Sequence, residues 1–226
     1  MAVKSVYGII NFILQQDYFN KDSRRNLIRC NYEPNEIKYS RLLIITGDNA
    51  EGKSFFVKLF DEYCNEKIKN ECLRLGMSLR TEKHWARSCV YKDESAFSTG
   101  DCSISSVIKG LETCQKRGQE HYVIFDEPNL GLAESYHYAL GEYFARFVTN
   151  MPPLTKGMVI VTHSRELIRP LLEHHPHHLR FGDNQNLANW IDRDQKQRTI
   201  EELLRLPEKG RRKFQKIKEI QHNISK

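Results

Sequence analysis

The segment Gly47-Asp48-Asn49-Ala50-Glu51-Gly52-Lys53-Ser54 packs more usable chemistry into fewer residues than any other part of the chain. Its glycines let backbone N–H groups turn toward one point, a lysine follows the second glycine, and a hydroxyl follows the lysine. That order makes a cradle for phosphate oxygens. The N–H groups and the start of a helix supply positive charge, Lys53 reaches the outer phosphates, and Ser54 offers an oxygen to Mg²⁺. Gly47, Gly52, Lys53 and Ser54 are the expected nucleotide-binding residues. An ordinary glycine turn can match the same letters, so the flanking elements matter: the apolar run Leu42–Ile45 precedes it and a helical stripe follows it.

A second group follows at His121-Tyr-Val-Ile-Phe-Asp126-Glu127-Pro128. An apolar strand ending in two carboxylates can divide two tasks, with Asp126 held near a metal ion and Glu127 polarising an attacking water. A plain strand-ending turn would also read this way, because proline stops the ladder. His163 closes the run Met158–Thr162, at the sheet edge where ligands of open α/β sheets bind, and there it can contact or sense the terminal phosphate. Phe97-Ser98-Thr99-Gly100-Asp101 opens a further amphipathic segment, and Ser98 with Gly100 offers either a second anion site or a simple N-cap turn.

These residues need elements to position them. Leu42–Ile45, Tyr122–Phe125, Met158–Val161 and a weaker run around Leu179–Phe181 are continuous rather than alternating, the pattern of strands buried on both faces. Between them lie helical stripes: Phe56, Leu59, Phe60, Tyr63, Cys64 and Ile68, ending near Gly76; Ile104, Val107, Ile108 and Leu111; and Tyr136, Ala139, Leu140, Tyr143, Phe144 and Phe147. The alternation predicts an α/β fold, a mainly parallel sheet covered by helices. Ahead of them, Val6–Leu14 reads as a helix and 26–30 as a strand, while 77–97 carries only the short strand-like Cys89-Val90-Tyr91.

The formal charge of +6 is unevenly spread. Residues 209–226 hold seven basic residues and one acidic, so the remaining 208 residues are balanced. This divides the expected chain into a domain over 1–208 and a basic helical tail over 209–226, with Phe214, Ile217, Ile220 and Ile224 as its apolar seam. The tail would contact nucleic-acid phosphates or an acidic partner protein, or else dock weakly as a solvated helix. No stretch approaches the length of a membrane span, and the expected location is cytoplasmic. The six cysteines form no C-x-x-C pair and read as reduced thiols. The run Glu173-His-His-Pro-His-His178 reads as a solvated loop rather than a zinc site. Tyr32 or Tyr39 could stack on a base, although packing is the commoner role for each.

The order of the motifs resembles the ATP-binding cassette (ABC) type of P-loop ATPase, from about Arg41 to Ser164. The resemblance implies that Lys53 and Ser54 are the Walker A pair, Asn49 the nucleotide-binding asparagine common in the P-loops of the non-transporter branch, Asp126 and Glu127 the Walker B metal and base residues, His163 the switch histidine, and Ser98 with Gly100 the signature. It further implies a head-to-tail dimer in which one copy's signature completes the other's ATP site, with Glu127, Lys53 and His163 catalytic and Ser54 with Asp126 on Mg²⁺. The signature reads Phe-Ser-Thr-Gly-Asp, and no glutamine lies between Ser54 and Ser98. Asn129-Leu-Gly-Leu-Ala133 is similar to the corresponding segment of RecF-like and OLD-like members. Only 43 residues separate Ser54 from Ser98, too few for a transporter's helical subdomain or for a coiled-coil arm.

The function this implies is an ATPase that dimerises on ATP and acts as a switch for a partner protein or nucleic acid, in a DNA-repair, genome-maintenance or defence setting. Two alternatives stay open: a small P-loop nucleotide kinase, and a binding module that holds ATP without hydrolysing it.

Overall fold

The uninterrupted apolar runs form the interior strands of a six-stranded sheet. The structure, a computed structural model, describes residues 3–19, 27–34, 40–76, 98–193 and 197–224. Asn26, Tyr39 and the whole of 77–97, with the run Cys89-Val90-Tyr91 and Phe97, lie outside the described residues. In chain order the elements are α1 (Val6–Leu14), β1 (Cys30–Glu33), β2 (Leu42–Gly47), α2 (Lys53–Glu62) continuing into a π-helical turn at Tyr63–Ile68, and β3 (Glu71–Gly76). Next come α3 (Thr99–Lys116), β4 (His121–Asp126), α4 (His137–Thr149), β5 (Thr155–Val161) and α5 (Arg165–Ile168). A 3-10 turn at Arg169–His174 leads to β6 (His177–Phe181), α6 (Leu187–Asp192) and α7 (Ile200–Ile224).

The strand order is β1-β6-β2-β5-β4-β3, with β1 antiparallel to β6 and the other pairs parallel. Register then sets the site. Ile45 pairs with Val161 and Val161 with Asp126, so the chain leaves β2, β5 and β4 at one level. Both faces of these strands are buried, which is why they read as continuous apolar runs. Leu43, Ile45, Ile124 and Val161 face a cluster with α1, α2 and two residues of α7, Ile217 and Ile220. Leu42, Ile44, Phe125 and Ile160 face the opposite cluster, with α3, α4, α5 and α6. The result is a helix–sheet–helix sandwich, as the alternation predicts.

Four sequence expectations need correction. The stripe drawn from Phe56 toward Gly76 spans three elements: α2 ends at Glu62, the π turn ends at Ile68, and 71–76 is the edge strand β3. Glu71, Leu73, Arg74 and Leu75 are good helix formers, but parallel pairing with β4 along the whole strand overrides that preference. The stripe on α3 is rotated: Val107 and Leu111 are buried, Ile108 is exposed, and Ser103, Ser106 and Gly110 take the inner face. The early strand lies at Cys30–Glu33 rather than 26–30. The histidine run is a solvated loop only in its first half: Glu173 and His175 are exposed, whereas His177 and His178 are buried in β6. Tyr32 meets the first of these at 3.3 Å and Thr46 the second at 2.8 Å, so each imidazole finds a polar neighbour inside the sheet layer. Burial lowers the pKa of both.

The break in charge at residue 209 falls inside a helix. α7 runs through it from Ile200 to Ile224 with Pro207 in its interior, and burial of Ile217 and Ile220 fastens its second half to the sheet. No helix among the described residues is long and apolar enough to cross a membrane. Cys30, Cys64, Cys72, Cys102 and Cys114 carry free thiols, and Cys89 lies outside the described residues.

Candidate functional site

The loop after β2 takes its shape from three residues with positive φ: Gly47 at 143°, Ala50 at 60° and Gly52 at 114°. The values at the two glycines are ones that side-chain-bearing residues rarely adopt. An added Cβ on Gly47 would also stand 2.6 Å from the carbonyl oxygen of Phe181, so glycine is required there on two counts. Gly52 then serves as N-cap of α2, and Lys53 is the first residue of that helix.

Lys53 is buried, and its side chain folds back under the loop. Its Nζ donates to the carbonyls of Gly47 at 2.7 Å and Asp48 at 3.0 Å, and lies 3.1 Å from His163 Nε2. Burial lowers its pKa to about 8, with Glu127 and Asp48 pulling the other way. Burial and the Lys53 charge push His163 down to about 4. The imidazole is therefore neutral at neutral pH, and Nε2 accepts from the ammonium. The 3.3 Å approach of that same nitrogen to Glu127 Oε1 is then not an ion pair.

Glu127 has φ of 54°, uncommon for a residue with a side chain, and such backbone outliers concentrate at functional sites. Its N–H donates to the Val161 carbonyl at 2.9 Å, which pins it beside the end of β5. Burial raises its pKa to about 7 against the opposing pull of Lys53. Asp126, one residue earlier, accepts from Arg74 Nη2 at 3.0 Å. Asn129 accepts from the Thr162 hydroxyl at 2.8 Å, joining the loop after β4 to the loop after β5.

Lys53, Asp126, Glu127 and His163 line a cavity of about 650 Å³ together with Asn49 and Ser54. Its opposite wall is α7, through Gly210, Lys213, Phe214 and Ile217. Glu51 joins the walls by accepting from Lys209 and from Lys213, the latter at 2.9 Å. Burial alone would raise the Glu51 pKa; the two lysines outweigh it and hold the carboxyl below its ordinary value. Arg198, just ahead of α7, pairs with Asp48.

The remaining expected residues lie elsewhere. Ser98 and Gly100 start α3 and do not line this cavity. Ser98 forms a capping box with Asp101, its Oγ donating to Oδ2 at 2.6 Å, so the carboxylate of Asp101 takes the place at that helix start that an external anion would use. Gly100 is buried against the Gly131 carbonyl. Tyr32 packs on Tyr7 and His177 beside Leu43, near the start of β2 and far along the strand from the loop.

Two contributors have no local signature. Arg74 reaches Asp126 only because β3 pairs with β4, and β3 itself reads as helix in the sequence. The α7 wall comes from a segment whose charge pattern reads either as a contact for an outside partner or as a weakly docked helix. As donors for Mg²⁺, the Ser54 hydroxyl and the Asp126 carboxylate fit an ion that keeps several waters and takes one or two protein oxygens. Among the described residues no three His, Cys, Asp or Glu side chains gather into a metal cluster. Searched against family models and against curated proteins, the chain matches none.

Proposed function

We propose that the chain binds Mg-ATP at the Gly47–Ser54 loop and hydrolyses it to ADP and phosphate, as a P-loop ATPase of the ABC type. One observation carries the reading. Residues from three separate segments meet around a single imidazole nitrogen, with Lys53 Nζ at 3.1 Å and Glu127 Oε1 at 3.3 Å from His163 Nε2. Each of the three is expected, from its own local sequence, to serve the terminal phosphate.

In this reading the loop N–H groups and Lys53 hold the phosphate oxygens. Glu127 takes a proton from water as the water oxygen bonds to the γ-phosphorus and the bond to the β-phosphate oxygen breaks, leaving with ADP. Its pKa of about 7 suits a group that must accept a proton near neutral pH. His163, neutral, offers a hydrogen bond to the γ-phosphate. Ser54 and Asp126 would hold Mg²⁺, whose charge offsets that of the phosphates. A second copy, arranged head to tail, would bring the start of its α3 with Ser98 and Gly100 over the nucleotide, and the basic face of α7 is where a polyanion or an acidic partner protein would be met.

Titration calorimetry with Mg-ATP, alongside a phosphate-release assay, tests this. Binding that is lost in Lys53→Ala, with turnover lost but binding kept in Glu127→Gln, supports it; unimpaired binding by Lys53→Ala refutes it. A second reading, an ATP clamp without turnover, is favoured by the Ser98 hydroxyl being already committed to Asp101. It predicts tight binding and no phosphate release at any protein concentration.

A further inference from the structure

Phe214 is a large aromatic residue left 57% exposed on the wall of a cavity otherwise arranged for phosphate. Its surroundings rule out simple core packing. Gly210, Lys213, Phe214 and Ile217 have the i, i+3, i+4, i+7 spacing of one helix face, and each has a different neighbour. Gly210 sits over Ala50, where an added Cβ would make ordinary contact at 3.7 Å. Lys213 is held by Glu51 at 2.9 Å, and Ile217 is buried in the core. These three fix the helix against the loop. The Phe214 ring meets only one partner described for it, the Lys218 ammonium at 4.7 Å from the ring centre.

The other aromatics near the loop are committed. Phe55 also lines the cavity, but it packs edge-on against Tyr18 at 5.0 Å and stacks on Phe19, both of them buried. Tyr32 is held near the far end of β2 by Tyr7 and His177. A cavity of about 650 Å³ lies within the range of small-molecule sites. It thus combines a polar wall of loop N–H groups, Lys53 and carboxylates with an exposed aromatic face carried on a helix that is tied down to the same loop.

We propose that α7 is the base-binding wall of the nucleotide site and that Phe214 stacks on the base of the bound nucleoside triphosphate. This rests on the nucleotide-binding reading given above. Stacking on an aromatic ring uses the π face that every base possesses, so Phe214 contributes to the binding of purine triphosphates in general and not to the choice between adenine and guanine. Lys209 and Lys213 act as positioning residues, because they hold the helix that presents the ring.

Inorganic tripolyphosphate, which has the phosphates but neither base nor ribose, separates the two ideas. The experiment measures the affinity of wild type, Phe214→Ala, Phe214→Trp and Lys53→Ala for Mg-ATP, Mg-GTP and Mg-tripolyphosphate by calorimetry, with thermal melts to verify folding. The expected result is that Phe214→Ala weakens ATP and GTP alike by about ten- to a hundredfold while leaving tripolyphosphate unchanged. Phe214→Trp keeps both nucleotides near wild-type affinity and shows a fluorescence change with ATP but not with tripolyphosphate. Lys53→Ala loses all three ligands. If Phe214→Ala binds ATP as well as wild type, or weakens ATP and tripolyphosphate equally, the base wall is wrong and the phosphate site stands. If wild type binds neither ATP nor tripolyphosphate, the underlying reading fails and takes this inference with it.

Discussion

One wall of the cavity is made of strand ends and the other of a helix, and different forces hold them. The strand-end wall is set by sheet register, with Lys53 buried, Glu127 partly buried and His163 reaching solvent, and with their pKa values moved to about 8, 7 and 4. The helix wall is set by two buried isoleucines, by an enclosed pair of Lys213 with Glu51, and by pairs of Lys209 with Glu51 and Arg198 with Asp48 that reach into solvent. Charges on the first wall serve chemistry. Those on the second serve position, and the exposed pair of Arg198 with Asp48 is the one most weakened by salt.

The largest expected effect lies on the strand-end wall. Glu127→Gln should lower phosphate release by about 10²–10⁴-fold, the usual cost of removing a general base, while ATP binding survives. With Mg-ATP present it should also elute as a dimer by light scattering. A variant that holds ATP yet stays monomeric would sink the head-to-tail arrangement but not the site.

Stability divides the helix wall internally. Ile220→Ala should cost about 2–5 kcal/mol in urea unfolding, as for other buried isoleucines, whereas Phe214→Ala, on the same helix and exposed, should be nearly silent. Equal losses at the two positions would mean that α7 is not docked as described. For the same reason, deleting 209–226 is a poor test of partner binding, since it strips Ile217 and Ile220 from the core. Charge reversal at Arg211, Arg212 and Lys216 is cleaner: affinity for a DNA duplex should fall, and the slope of that affinity against salt should flatten.

A further prediction uses the burial of Glu127. Its folded pKa of about 7 lies above the ordinary 4.5, so the ionised form is disfavoured in the folded protein. Any stability tied to its neutral form is present below 4.5 and is lost as pH rises toward 7. The melting-temperature advantage of Glu127→Gln over wild type should therefore grow across that interval and then level off. In Lys53→Ala the carboxyl loses its cationic neighbour and should titrate higher still, which carbon NMR of the glutamate carboxyls can follow. The smallest effect belongs to the exposed pair of Arg198 with Asp48: Arg198→Gln should cost about 1 kcal/mol or less in urea unfolding, shrinking in molar salt.

The two walls also differ in how far the sequence discloses them. The strand-end wall was legible because buried parallel strands leave continuous apolar runs, and the chemical residues follow directly after those runs. Gly47, Lys53, Asp126, Glu127 and His163 could all be placed at one sheet edge by counting. Arg74 could not, because its role depends on β3, an edge strand of helix-forming residues specified by its neighbour. The α7 wall was hidden by a different route. Seven basic residues near one end of a chain look like solvent-facing charge, and nothing local reveals that Lys209 and Lys213 point back to a glutamate some 160 positions earlier. The histidines of β6 misled for a related reason, since polar side chains that find a polar neighbour inside a sheet look the same in sequence as polar side chains in water.

Pro207 gives α7 a further property. The segment is fastened to one short loop at two places, by Arg198 to Asp48 ahead of the helix and by Lys209 and Lys213 to Glu51 within it. Between these anchors sits a residue that has no N–H to complete the helical ladder. A strap buckled at both ends with a crease in the middle is a mechanical element: shortening or rotating either half changes the tension on Asp48 and Glu51. The exposed residues Ile200, Leu203 and Leu204 lie on the half before Pro207. Any rearrangement of that half acts on Asp48 through Arg198, in the loop that carries Asn49 and Ala50.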